Sequence, residues 1–320
     1  MIATDGKFDA KEIQGLQGRL REYKDTTGQS WKLIAGNIGM GESTVSAFAA
    51  GTYKGDNQAV AAELSKWFRT EEAQELFGNT QVKPPFLMIP TAKYIFSMAT
   101  YASLGSVATL VGDPGLGKTD ALKEYGRTNS NVYRITASPT RSTYHAFFPA
   151  LLNEMGVNAS SSRASVLSDR IRRVLKFRSR PLLIVDEAQF LSEKLLEELR
   201  AIHDDTQCGL FFAGNREVTT RIDGSRQAQY AQRSSRVGKR GDLSRPMPGD
   251  VSMLLTAWGV VDEREARFLE AIAMVPGGGA LRQMTKVLEQ ATLVANANRE
   301  PRTFLHIKDA ADDLNAGLAA

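Results

Sequence analysis

The chain of 320 residues has one cysteine, Cys208. No internal disulfide can form, which excludes a disulfide-stapled secreted scaffold and points to an intracellular protein. Cys208 follows a helical pattern and precedes an apolar run, where it reads as a small buried apolar residue. Long apolar runs are missing too. Nothing approaches the ~18 uninterrupted apolar residues of a membrane span, so no membrane partner is expected. The opening "MIATDGKFDAKEIQG" has neither an apolar core segment nor a small-residue cleavage site, so no secretory signal is expected and the location reads as cytoplasmic. Internal repeats and low-complexity tracts are also absent, which sets aside a repeat array or a linker-dominated chain.

What is present suits a globular protein. Apolar residues make up 42% and charged residues 24% of the chain. The length suggests two or three domains. Net charge is +4 and the pI about 9.1. The basic surplus is uneven. Met1–Gly55 holds 7 basic and 6 acidic residues, Pro246–Ala320 holds 7 and 10, and the middle holds 26 and 20. A basic middle fits a polyanionic partner there, or ordinary solubilising charge.

Three regimes follow one another. Residues 1–78 read as helical. Residues 79–90 carry Pro84, Pro85 and Pro90, which disfavour helix and mark a linker or extended lead-in. Residues 91–246 alternate apolar runs with helical patterns. The strand-like runs are Ser106–Val111, Asn131–Ala137, Pro181–Ala188 and Gly209–Asn215; helices are expected over Asp120–Arg127, Ser142–Met155, Ala164–Arg178 and Ser192–Asp204. The central runs lack period-2 alternation, as strands buried on both faces do, so a parallel sheet covered by helices is expected. Residues 247–320 have no strand-like run. Helical patterns there cover Asp250–Trp258, Glu263–Val275, Ala280–Ala297 and Ile307–Leu314.

Chemistry concentrates in "GDPGLGKT". A strand, then G-x-x-x-x-G-K-T, then a helix is the P-loop pattern in its required context. Gly112, Asp113, Pro114, Gly115, Leu116, Gly117, Lys118, Thr119 and Asp120 form the expected cradle for ATP. Backbone N–H groups and the helix dipole face the phosphates. Lys118 reaches the β- and γ-phosphates and the Thr119 hydroxyl holds Mg²⁺. In "LLIVDEAQ", Asp186 ends a buried strand and is placed to hold Mg²⁺ through its water shell, while Glu187 polarises the attacking water. Asn215 ends "GLFFAGN", where a neutral amide could sense the γ-phosphate or form a turn. "QRSSRVGKR" offers Arg233 and Arg236 as transition-state arginines, or as part of a solvated basic stretch. Arg282 in "GGGALRQM" is a second-domain arginine for the phosphates, or a surface residue.

Upstream, "SWKLIAGNIGMGESTVSAFAAGTYKGD" has helix-turn-helix spacing. Ala35 is small where two helices cross, Gly39 fits the turn, and Val45 is a core position beside Ile34, Ile38 and Phe48. The second helix exposes Glu42, Ser43, Thr44, Ser46 and Ala47, none of them basic. Base-specific readout is disfavoured, since major-groove readers carry Arg, Lys, Asn or Gln there. Weak phosphate contact or protein docking fits better.

The tandem of "GDPGLGKT", "LLIVDEAQ", "GLFFAGN" and "SSRVGKR" resembles an AAA+ ATPase. With the N-terminal stretch ending "GTYKGDNQAV", and with "KEYGRTNSNVY" and "KLLEELRAIHDDTQCGL", it resembles the target-DNA adaptor ATPases of transposable phages, typified by the phage Mu B protein family. The likeness runs from about Ser30 to Ala297. It implies an AAA+ P-loop domain with a parallel central sheet and a C-terminal helical lid, preceded by an all-α helix-turn-helix domain. It implies ATP and Mg²⁺ as cofactors and ATP hydrolysis as the activity. It implies an oligomer, a helical filament on double-stranded DNA of little sequence preference, and delivery of that DNA to a transposase in the host cytoplasm. Lys118 and Thr119 take the P-loop roles, Asp186 and Glu187 the metal and water roles, and Asn215 and Arg282 the two sensors. Arg236 best matches the arginine acting across a subunit interface, with Arg233 second.

Two basic segments could meet DNA phosphates. One is "RIRRVLKFRSR", with Arg170, Arg172, Arg173, Lys176, Arg178 and Arg180 and no acid; the other runs from Arg221 to Arg245. A solvated helix face explains the first equally well. Two rival functions share the motifs. A helicase-loader-like AAA+ ATPase of a replication system shares the whole ATPase core. A sequence-specific regulator would leave the intact Lys118, Thr119, Asp186 and Glu187 without a purpose.

Overall fold

A computed structural model describes residues 8–78, 83–159, 163–218 and 237–314. The chain divides into two units, Met1–Val82 and Lys83–Ala320.

The first unit is helical: α1 (Ala10–Thr27), α2 (Trp31–Ile38), α3 (Glu42–Ala49) and α4 (Asn57–Gly78). Asp9 and Glu12 cap α1 reciprocally, and Ser30 caps α2 through the Leu33 N–H. Gly39 takes φ 79° between α2 and α3, the left-handed turn that glycine allows. Ile34, Ala35, Val45 and Phe48 are buried with Leu20, Leu64 and Phe68. These helices cross where the small Ala35 permits it. Ile38 lies partly exposed at the rim of the same core.

The second unit is a five-stranded parallel sheet with helices. In chain order come α5 (Pro90–Ser103), β1 (Val107–Gly112), α6 (Lys118–Thr128), β2 (Val132–Thr136), α7 (Tyr144–Glu154), α8 (Ala164–Lys176), β3 (Leu182–Asp186), α9 (Glu193–Thr206), β4 (Gly209–Gly214) and β5 (Val237–Leu243). The strand order is β2-β3-β4-β1-β5. The three inner strands are buried at every position, whereas the edge strand β2 alternates. Continuous apolar runs mark the inner strands because helices cover both faces. Phe147, Phe148, Leu151, Ile171, Leu199 and Phe212 build the core on one side of the sheet.

Two elements differ from the sequence expectation. Helix α5 was not anticipated, although Ala92, Ile95, Met98, Ala99 and Ala102 give it a buried helical stripe. Strand β5 falls inside the basic stretch Arg221–Arg245. Its sequence VGKRGDL has two glycines and three charges, and only pairing with β1, through a register shift at Val107/Ala108, makes it a strand.

The chain ends in a helical lid: α10 (Asp250–Ala257), α11 (Glu263–Met274), α12 (Ala280–Ala297) and α13 (Phe304–Asp313). Asp250 is fully buried. It accepts hydrogen bonds from the Thr91 and Met247 N–H groups at 2.9 and 2.7 Å, and from the Thr91 hydroxyl. That carboxylate ties the start of the lid to the start of α5. Among the described residues no helix is long and apolar enough to cross a membrane.

Candidate active site

The sheet order carries the C-terminal ends of β1, β3 and β4 to one edge, side by side. That edge, where the chain reverses direction, is where open α/β sheets bind ligands.

The loop after β1 turns on two left-handed glycines, Gly115 at φ 87° and Gly117 at φ 77°. Gly117 is also the N-cap of α6. A Cβ on Gly115 would collide with the Gly279 carbonyl and lie 3.2 Å from Arg282 Cβ. The Arg282 N–H donates to the Gly115 carbonyl at 3.0 Å. The start of α12 therefore rests directly on the loop, and glycine is needed there for both conformation and space.

Lys118 bends back over the loop and donates to the Gly112 and Asp113 carbonyls at 2.7 and 2.8 Å. Burial holds its pKa below the usual lysine value, partly offset by the Glu187, Asp186 and Asp113 carboxylates. The Thr119 hydroxyl donates to Asp186 Oδ2 at 2.8 Å. Asp186 is 1% exposed. Burial pushes its carboxyl up from the usual range, against the Thr119 hydrogen bond and the Arg134 guanidinium at 4.0 Å. Glu187 follows with a left-handed φ of 56° and lines the cleft. Asn215, at the exposed end of β4, accepts the Glu217 N–H at 2.9 Å.

A cleft of about 830 Å³ opens over residues 115–120 and Glu187; Asp186 and Asn215 are not among its lining residues. Lys118, Thr119, Asp120, Glu187 and Arg282 line its polar part. Pro84, Pro85, Leu87, Ile89, Leu254, Trp258 and Leu281 form an apolar part. The cleft thus has a charged half on the glycine loop and an apolar half between the lead-in and the lid. The lead-in 83–90 belongs to its wall, which prolines and composition alone did not reveal. Lys83 pairs with Glu289 on α12 at 2.9 Å, joining that lead-in to the lid.

The other expected residues fall elsewhere. Arg233 and Arg236 lie outside the described residues. On α8, Arg172 pairs with Glu198 and Asp205 on α9 at 3.0 and 3.5 Å, and Lys176 pairs with Asp205 at 2.9 Å. Arg170 donates to the Asn158 carbonyl at 3.2 Å. Arg173, Arg178 and Arg180 are exposed beside Phe177, which is 85% exposed. This segment is remote from the cleft lining. The acids of α9 temper its charge, which the sequence of α8 by itself could not show. Buried Cys208 has its thiol pushed up to about 11 by desolvation, as a packing residue would.

Sequence reasoning assigned no part to Arg134, Gln189 or Arg216. Arg216 lies 3.9 Å from Asp113 and 3.7 Å from Asp242. Its only sequence signal is adjacency to Asn215. Among the described residues no three His, Cys, Asp or Glu side chains gather as a metal cage. Thr119 and Asp186 instead offer two hard oxygen ligands, which fits Mg²⁺, an ion that takes most of its shell from water and phosphate.

Comparison with known proteins agrees with this geometry. Residues 102–222 match the AAA domain family. Residues 235–314 match the family described as Mu B transposition protein, C terminal. The chain is 33% identical over 290 residues to the ATP-dependent target DNA activator B of Escherichia phage Mu, covering 90% of this chain and 91% of that protein. It is 30% identical over 275 residues to the Mu-like prophage FluMu DNA transposition protein B of Haemophilus influenzae, covering 85% and 94%. Among solved structures, the Aeropyrum pernix ORC2 protein aligns with a TM-score of 0.54 at 15% identity, over 77% of this chain and 72% of that one. At that identity the likeness speaks for the fold.

Proposed function

The chain belongs to the Mu B transposition protein family and is an AAA+ ATPase, and from that premise we propose that it binds double-stranded DNA with little sequence preference, assembles on it as an ATP-dependent filament, and hands it to a transposase that it stimulates. The observation that carries this reading is the Lys118–Thr119–Asp186–Glu187 constellation, intact in a chain whose relatives are named for ATP-dependent activation of target DNA. A helicase-loading role loses its support, because the matching family is described as a transposition protein and one relative is named a DNA transposition protein.

In this reading the cleft takes ATP with its phosphates on the loop. Lys118 exchanges two backbone carbonyls for the β- and γ-phosphates, so the loop is relieved of an internal cation as it gains an anion. Thr119 and Asp186 would hold Mg²⁺, which would supply neutralisation of phosphate charge. Glu187 orients and polarises the attacking water. Asn215 senses the γ-phosphate from the end of β4, and Arg282 reaches it from the lid. Arg236 of a neighbouring subunit completes the site, with Arg233 the next candidate. The lead-in and Trp258 enclose the adenine. DNA phosphates are met by the exposed Arg173, Arg178 and Arg180 rather than by Arg172 and Lys176, which α9 already engages. Helix α3 docks protein or touches phosphate weakly.

Electron microscopy of the full chain with ATP and random-sequence duplex tests this. Filaments that need both ligands are expected, with affinity falling linearly against salt on logarithmic axes. A preferred sequence bound at least ~10³-fold more tightly than random DNA would overturn it.

A further inference from the structure

Gln189 sits two residues beyond Glu187 and is 6% exposed. A buried carboxamide needs partners at both ends, and this one has them. Its Nε2 donates to Glu187 Oε2 at 2.5 Å, and its Oε1 accepts the Asn215 N–H at 3.3 Å. The amide has one workable orientation. Flipped, its oxygen would face a carboxylate and its NH₂ would face an N–H.

The backbone is shaped around this bridge. Glu187 is left-handed at φ 56°, a conformation that a residue with a Cβ rarely adopts. It starts a tight turn, closed by the Phe190 N–H on the Glu187 carbonyl at 3.1 Å, that returns Gln189 alongside Glu187. On the other side, Gly214 leaves room. A Cβ there would collide with Gln189 Oε1 and lie 2.6 Å from Val218 Cγ2. Strand β4 therefore ends in a glycine against which the carboxamide lies.

We propose that Gln189 is a positioning residue for hydrolysis: it fixes the Glu187 carboxylate through Oε2, leaves Oε1 for the attacking water, and couples that carboxylate to the end of β4 at Asn215. A shift of Asn215 on meeting the γ-phosphate passes through one side chain to the group that polarises the water. This rests on the reading of Glu187 as that group.

The test uses the full chain with ATP and duplex DNA and compares Gln189→Leu, Gln189→Glu, Glu187→Gln and the double variant Gln189→Leu/Glu187→Gln. Gln189→Glu keeps shape and the acceptor toward Asn215, but a carboxyl beside the Glu187 carboxylate shares one proton with it and can still donate, so Gln189→Leu is the variant that removes the donor. Gln189→Leu should lose about 10–100-fold in kcat, the usual effect of removing a partner that orients a reacting group, and Gln189→Glu a smaller factor. Affinity for a fluorescent ATP analogue and Tm should stay near wild type. Single-turnover hydrolysis of the double variant should match Glu187→Gln alone, because the effect acts through Glu187. Wild-type kcat in Gln189→Leu, or a loss that adds fully to Glu187→Gln, would overturn the proposal. So would a parallel loss of nucleotide affinity and Tm, which marks a packing role. Undiminished turnover in Glu187→Gln would instead remove the reading of Glu187, a distinct failure.

Discussion

Two helices of this chain start alike and do different work. Both α3 and α6 follow a glycine N-cap, and neither cap has a side-chain hydrogen bond. At α3 the glycine, Gly41, has an ordinary φ of −72°, and Glu42 in the first turn offsets the positive end of the helix dipole. Val45, Phe48 and Ala49 then enter the core. At α6 the glycine, Gly117, is left-handed, and the first helical residue is Lys118, a cation where the dipole is already positive. Asp120 offsets part of that charge. The same local device is an end closed onto a packed core in the first unit and an end open to the cleft in the second. The first start leads into packing; the second carries a cation that rests on the carbonyls of its own loop.

The sharpest way to break this comparison lies at the open end. If the site of α6 is completed by a neighbour, Arg236→Ala should lower DNA-stimulated hydrolysis by about 10³–10⁵-fold while ATP still binds. Mixing it with Lys118→Ala, inactive because the phosphates lose their loop cation, should recover part of the rate. No recovery from co-assembled mixtures would move the role to Arg233.

The closed end has its own test. Phe48→Ala should cost the first unit about 3–5 kcal/mol, read as an early melting transition, with ATP affinity unchanged. A loss of ATP affinity would show that the two helix starts are not independent.

Asp186 sharpens the difference energetically. Its carboxyl is pushed up by burial, so its charge opposes folding above that raised pKa and the penalty fades as pH falls through it. Asp186→Asn should therefore raise the Tm of the nucleotide-free protein by about 2–4 °C at neutral pH while abolishing hydrolysis. The gain in Tm over wild type should shrink in mildly acidic buffer. A lower Tm at neutral pH would contradict a burial penalty on the Asp186 carboxylate.

The smallest effect compares the two glycines directly. Gly117→Ala must place a Cβ at φ 77°, at a cost of about 1–2 kcal/mol, with weakened ATP binding. Gly41→Ala, with only Thr44 Oγ1 near at 3.6 Å, should shift stability by about 0.5 kcal/mol or less. Equal effects would erase the distinction between the two caps.

The motifs were legible because their chemistry is local. Glycine spacing followed by Lys118 and Thr119 needs only one loop, and an apolar run ending in Asp186 and Glu187 needs only one strand. The small Ala35, the turn glycine Gly39 and the buried Val45 are likewise neighbours in sequence, so helical periodicity placed them. Strand β5 was hidden because VGKRGDL has no strand-like pattern of its own and becomes a strand only beside β1.

By itself, then, the sequence determined the loop, the acidic strand end at Asp186 and Glu187, the helical lid and the helix-turn-helix spacing, since each follows from backbone freedom or hydrophobic period within a short window. Tertiary structure alone decided which distant groups meet. Thr119 reaches Asp186 from 67 residues away, and Gly115 meets Gly279 and Arg282. The Pro84–Ile89 lead-in becomes a wall of the cleft, Gln189 joins Glu187 to Asn215, and α9 occupies Arg172 and Lys176. Those meetings depend on the order β2-β3-β4-β1-β5 and on the lid folding back over it. Burial on a sheet edge shared by three strands is a property of the assembled layers, and no single segment carries it.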